Sequence, residues 1–133
     1  MTSALENLAG AKGPLTAEQP DAKEIEWLLT SGATRLRDSR NKSLALESRF
    51  DLAYNAAHAL CLAALRRCGY RAKHRHIVFQ VVPHTLGLGP EVWLVLDKCH
   101  HIRNVAEYEG MLDIGERVVA DLVAACETVA AKL

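Results

Sequence analysis

Apolar residues recur at every third or fourth position over four stretches of this chain, the period of helices that bury one face. The longest stretch runs from about Leu44 to Cys68, where Phe50, Ala53, Tyr54, Ala57, Leu60, Cys61, Ala64, Leu65 and Cys68 share a stripe and Gly69 supplies the stop. Upstream, Asp21 with Glu24 three residues on forms a capping pattern, and Ile25, Leu28, Leu29 and Leu36 predict a helix to about Ser39, weakened locally by Gly32. After Pro90 a third helix carries Val92, Leu96, Cys99, Arg103 and Ala106 on one stripe. A fourth, from about Asp113 to Lys132, carries Ile114, Val118, Leu122, Cys126 and Val129. Between them, His76 to Leu86 is rich in β-branched residues, but a lone strand would have no partner, so an irregular helix ending near Pro83 is expected. Residues 1–20 hold Gly10, Gly13, Pro14 and Pro20, which predict at most a short helix and then a flexible lead-in outside the core. The whole reads as all-α, an antiparallel up-down bundle of about five helices over residues 21–133.

Composition narrows what such a bundle can do. At 133 residues the chain is one domain, able to bury about two-thirds of the surface that its unfolded form exposes, so no metal or disulfide staple is needed. Its 16 basic residues balance 16 acidic ones, so contact with nucleic acid must come from a local patch and a sequence-independent DNA coat is disfavoured. Cys61, Cys68, Cys99 and Cys126 sit in apolar helical patterns without tight pairing, which points to reduced, buried thiols in a cytoplasmic protein. No window reaches the length of a membrane span. Gly87, Gly89 and Pro90 form a turn but lack the third glycine and preceding strand of a phosphate-cradling loop. His58 and Cys61, even with Cys99 and His100, offer no Cys-x-x-Cys or His-Glu-x-x-His spacing, so neither a metal nor a cofactor is expected. Ser39, Ser43 and Ser48 fall at helix boundaries, where serine caps, and no nucleophile elbow accompanies them.

Polar chemistry concentrates near the end of the third helix. Arg103, Asn104, Val105, Ala106, Glu107 and Tyr108 follow directly on His100, His101 and Ile102. His101, Asn104 and Tyr108 lie at i, i+3 and i+7, while His100, Arg103 and Glu107 share the neighbouring face. A planar, permanently protonated guanidinium suits a phosphate, and an imidazole titrates near neutrality, whereas a phenol with a pKa of about 10 is a poor base. Each residue also has a structural explanation: Arg103 paired with Glu107 one turn on, Tyr108 anchoring the helix end, the histidines solvated. The second feature is a basic run, Arg66, Arg67, Arg71, Lys73, His74, Arg75 and His76, with Tyr70 inside it and no acid in the run to offset it. Arg66, Arg67, Arg71, Lys73 and Arg75 are candidate RNA-backbone contacts; alternatively they complement a helix C-terminus.

The Arg103 to Tyr108 hexapeptide, with the helix Phe50 to His58 running on to Cys68-Gly69-Tyr70-Arg71, resembles the HEPN family of small helical domains. Its ribonuclease members carry Arg, often followed by Asn, with His five positions after the Arg; here Tyr108 replaces that His. The resemblance covers roughly residues 20–133. It implies a homodimer with two motifs across a two-fold interface, and metal-independent RNA cleavage by the 2′-hydroxyl on the adjacent phosphate. In that reading Arg103 holds the charged oxygens, Asn104 orients the group, and Tyr108 with His100 or His101 handles protons, as in a toxin–antitoxin or defence ribonuclease. The alternative is a non-catalytic module that binds RNA, a nucleotide or a partner such as a nucleotidyltransferase-type antitoxin, and the change from His to Tyr favours it.

Overall fold

Small residues at the centre of the chain set how closely its helices pack. The computed structural model describes residues 4–110 and 114–133, and it is mostly helical. In chain order the elements are α1 (Ala4–Leu8), β1 (Leu15–Ala17), α2 (Ala22–Ser39), α3 (Leu46–Arg67), β2 (Tyr70–Ala72), α4 (Arg75–Gln80), α5 (Val82–Thr85), α6 (Pro90–Glu109) and α7 (Glu116–Lys132). α3 is the central helix, and Ala53, Ala56, Ala57, Ala63 and Ala64 along it are fully buried. That lets α2, α4, α6 and α7 all pack on it.

Asp21 caps α2 as its spacing predicts, its carboxylate accepting from the amides of Lys23 at 3.0 Å and Glu24 at 3.3 Å. The α2 and α3 axes run antiparallel: Glu24 meets Arg66, Gly32 meets Leu60, and the carbonyl of Ser39 accepts from Arg49 Nε at 2.8 Å. At Gly32 the two helices approach closely, since a Cβ there would lie 2.6 Å from Leu60 Cδ2. The residue that weakens α2 on propensity is thus the one that admits its neighbour. α3 starts at Ala45 without a side-chain cap, and no serine serves there. It stops where Gly69 takes a positive φ of 91°.

The expected all-α bundle is present, with two differences in detail. The irregular segment is two short helices rather than one, broken at Val81, and Pro83 opens α5 instead of ending a helix, because a first-turn position has no N–H bond to lose. Residues expected as a lead-in outside the core contribute to it: Leu5 and Leu15 pack with Leu65, Ile77 and Val81, and β1 pairs antiparallel with β2, Leu15 opposite Ala72. The Gly and Pro pattern marked the turns correctly, but two leucines and three residues of strand are too short a signal for periodicity to detect. The last helix begins at Glu116, and its expected start at Asp113 lies outside the described residues. No helix among the described residues is long and apolar enough to cross a membrane.

Candidate functional site

Tyr54, on the inner face of α3, is the hub of the polar cluster. Only 1% exposed, it stacks between Phe50 and His100 and packs against Phe79. Its hydroxyl bonds His100 Nδ1 at 2.9 Å, and His100 Nε2 accepts from Asn104 Nδ2 at 3.1 Å, so both imidazole nitrogens are engaged. With Nε2 accepting, the ring proton sits on Nδ1 and is donated to the phenol oxygen. Two guanidiniums converge on the same ring: Arg103 lies 4.9 Å from its centroid and Arg75, from the start of α4, 5.9 Å. Each such contact is worth about 0.5–1 kcal/mol at an exposed site, enough to orient an arginine without occupying its N–H fork.

A second imidazole completes the cluster. His76 stacks on His100 at 4.7 Å between centroids with the planes 7° apart, and its Nε2 bonds the carboxylate of Asp97, one turn before His100 on α6. His58 meets Phe79 edge-on from α3. Burial first, and then the charges of Arg75, Arg103 and His100, push the His58 imidazole down to about 4. The same causes hold His100 below the ordinary imidazole range: burial first, then His76, Arg103 and Arg75, opposed by Asp97. Two arginines thus surround imidazoles that favour the neutral form.

Hollows flank the hub. On one side a cleft of about 360 Å³ is lined by Arg103, Ala106 and Glu107 of α6 against Glu47, Ser48, Phe50 and Asp51 of α3. On the other a shallower groove of about 240 Å³ is lined by Arg71, Lys73, His74 and Arg75 beside His58. The cleft carries three carboxylates to one guanidinium; the groove has no acid in its lining, and with Arg71 paired to Glu18 and Glu24 its basic character comes from Lys73 and Arg75. An anion is therefore favoured over the Arg75 side of Tyr54.

The sequence-predicted residues divide accordingly. Arg103, Asn104 and His100 come together, although Asn104 bonds His100 rather than grouping with His101. Arg103 also pairs with Glu107 at 2.9 Å, as the helical spacing suggested. Tyr108 is 94% exposed, so it neither anchors the helix end nor joins the cluster, and His101 is likewise exposed. In the basic run the expectation of uncompensated charge fails for Arg66 and Arg71. Arg66 is completely buried, bonded to Glu24 at 2.6 Å and to the carbonyls of Glu18, Gln19 and Tyr70. Arg71 grips Glu18 and Glu24 at 2.7 and 2.9 Å. The compensating acids come from the segment before α2 and from its first turn, far off in sequence. Arg67, Lys73 and Arg75 stay exposed.

Sequence reading missed Tyr54, His76 and Asp97 as members of the cluster. A signal for one was there: Asp97, His100 and Asn104 fall at i, i+3 and i+7, polar positions beside a buried stripe. Of the cysteines, Cys61, Cys99 and Cys126 are buried and free as expected, burial pushing Cys99 and Cys126 up to about 12, but Cys68 is exposed. Among the described residues no group of three His, Cys, Asp or Glu could hold a metal ion. The apolar stripe of α6 is covered within the chain, where Val92, Leu96 and Cys99 are 1–3% exposed.

Fold and cluster together define a small all-α domain with a basic, histidine-rich polar centre. Comparison with family models, with curated proteins and with solved structures returned no match.

Proposed function

We propose that this chain is an HEPN-like, RNA-directed protein and, within that class, a metal-independent ribonuclease. The observation that carries the reading is the convergence of Arg75 and Arg103 on one tyrosine ring whose hydroxyl bonds an imidazole held toward its neutral form. Two guanidinium forks from different helices can hold one phosphodiester from two directions, and the basic groove continues the path for a backbone. The pairing of Arg103 with Glu107 is no obstacle: the carboxylate is 60% exposed, and such surface pairs are worth about 0–1 kcal/mol, less than a phosphate contributes.

A homodimer accompanies this reading. Leu94, Lys98, His101, Val105 and Tyr108 alternate in steps of four and three along α6, the spacing of a coiled-coil seam, and Leu94, Val105 and Tyr108 are exposed apolar or aromatic groups on it. A second copy packed there would place two motif-bearing helices across a two-fold axis. The same exposed stripe favours the second reading, a non-catalytic module whose α6 docks a partner such as a nucleotidyltransferase-type antitoxin. The test is cleavage and binding of single-stranded RNA in chelator, with light scattering on the same samples. Expected are cleavage by the wild type, loss with Arg103→Ala or Arg75→Ala, and a dimer that Val105→Glu breaks. Binding without cleavage selects the non-catalytic reading, and neither at low salt removes the RNA.

A further inference from the structure

We infer that His76 is the general base of the proposed RNA cleavage and that Asp97 is its positioning residue, an inference that rests on the RNA reading above. Six histidines are present, and the geometry separates them. His100 has both ring nitrogens occupied, by Tyr54 and Asn104, so it cannot accept a further proton without breaking a bond. His58 faces Phe79 in a largely buried setting. Among the described residues His76 is the one histidine with a carboxylate on a ring nitrogen, its Nδ1 carries no bond, and 38% of its side chain is exposed. A carboxylate that accepts from Nε2–H fixes the tautomer with the lone pair on Nδ1 and stabilises the imidazolium that forms.

His76 also stands beside the phosphate position. It adjoins Arg75 in α4 and stacks on His100, whose other neighbour is the Tyr54 ring under Arg103. The charged and titratable groups against it are Asp97 and His100 on α6, with Arg75 next to it on its own helix. In the step itself the ribose 2′-OH gives its proton to His76 Nδ1 while the 2′-oxygen bonds phosphorus and the phosphorus to 5′-oxygen bond breaks. The product is a 2′,3′-cyclic phosphate, and the 5′-alkoxide takes a proton from water. The hydroxide so formed then removes the proton from His76, returning the base to its starting state. The residue does the work that a histidine at position 108 would do, from a different helix.

The experiment uses the full chain, a labelled single-stranded RNA oligonucleotide and its 2′-O-methyl analogue, which binds but cannot be cleaved. His76→Ala and His76→Asn are expected to lower cleavage by about 100-fold or more while binding of the analogue changes less than threefold. Added imidazole restores part of the His76→Ala rate. Asp97→Asn lowers kcat while binding of the 2′-O-methyl analogue changes less than threefold, and Asp97→Glu restores part of the rate, a split that a merely structural role would not give. His84→Ala, on α5, serves as a control. Wild-type cleavage that survives both His76 variants overturns the base assignment and leaves the RNA reading intact. Binding of the analogue without cleavage of the RNA overturns the base alone, and failure of the wild type to bind either oligonucleotide overturns the RNA reading with it.

Discussion

At the scale of single residues, identical side chains a few positions apart have opposite fates. Arg66 lies at zero exposure with its guanidinium filled by Glu24 and three carbonyls, whereas Arg75 is exposed beside a tyrosine ring, with one long bond of 3.5 Å to Asn55 Oδ1. Removing the first should therefore damage folding and removing the second should damage binding. Arg66→Met leaves Glu24 to Arg71 alone and takes the guanidinium donors from the carbonyls of Glu18, Gln19 and Tyr70, with an expected loss of about 3–5 kcal/mol in a denaturant or thermal melt. Arg66→Lys should recover little of it, since a point charge cannot span four acceptors. If Arg66→Met melts like the wild type, the buried cluster contributes nothing to stability. Tyr108 sits at the other extreme: Tyr108→Phe removes a hydroxyl already in solvent and should change stability by less than about 0.5 kcal/mol.

Elements add constraints that no single residue carries. α2 and α3 meet where Gly32 faces Leu60, a side chain only 3% exposed and so unable to swing aside. Replacing Gly32 by Ala gains about 1 kcal/mol of helix propensity but overpacks a contact, which costs about 1–3 kcal/mol. The packing cost should win, and Gly32→Ala is expected to melt below the wild type; a higher melting temperature would show that the helices can separate freely. The β1–β2 ribbon is a second coupling, because it seats Leu15, fully buried, against Leu65 and Ile77. Leu15→Ala should therefore cost about 2–4 kcal/mol although it lies before the bundle, as a melt of the single variant would register.

For the whole molecule, pH links the polar centre to stability. His58 is held at about 4 when folded against an ordinary 6.5, and His100 is depressed in the same direction. A depressed folded value means that the unfolded chain binds the extra proton first, so stability is complete above about 6.5 and falls as the pH drops toward 4. Glu18 and Glu24, held down chiefly by bonds to Arg71 and Arg66 respectively, extend the loss below 4.5, since their ion pairs stabilise above that value and vanish on protonation. Thermal melts between pH 7.5 and 4.5 should thus show a steady fall that His58→Gln makes shallower. A flat profile in that range, or an unchanged slope in the variant, would contradict the burial of a neutral imidazole.

What the sequence determined by itself was class and periodicity. α2, α3, α6 and α7 were legible because each buries one face, and a period of 3.6 residues writes that face into the order of side chains. Asp21 as a cap and Gly69 as a stop were legible for the same local reason, as was the Arg103–Glu107 pair. Only the tertiary structure decided which polar groups meet. Glu18 and Glu24 neutralise Arg66 and Arg71 across more than forty residues, and Asp97 reaches His76 across twenty-one. Tyr108, prominent in the motif, is left in solvent, while Tyr54, read as an ordinary core residue, organises the cluster. Helical spacing specifies neighbours within one helix, but the partner across a helix interface depends on packing angle and register, which the buried alanines of α3 set and no local pattern records.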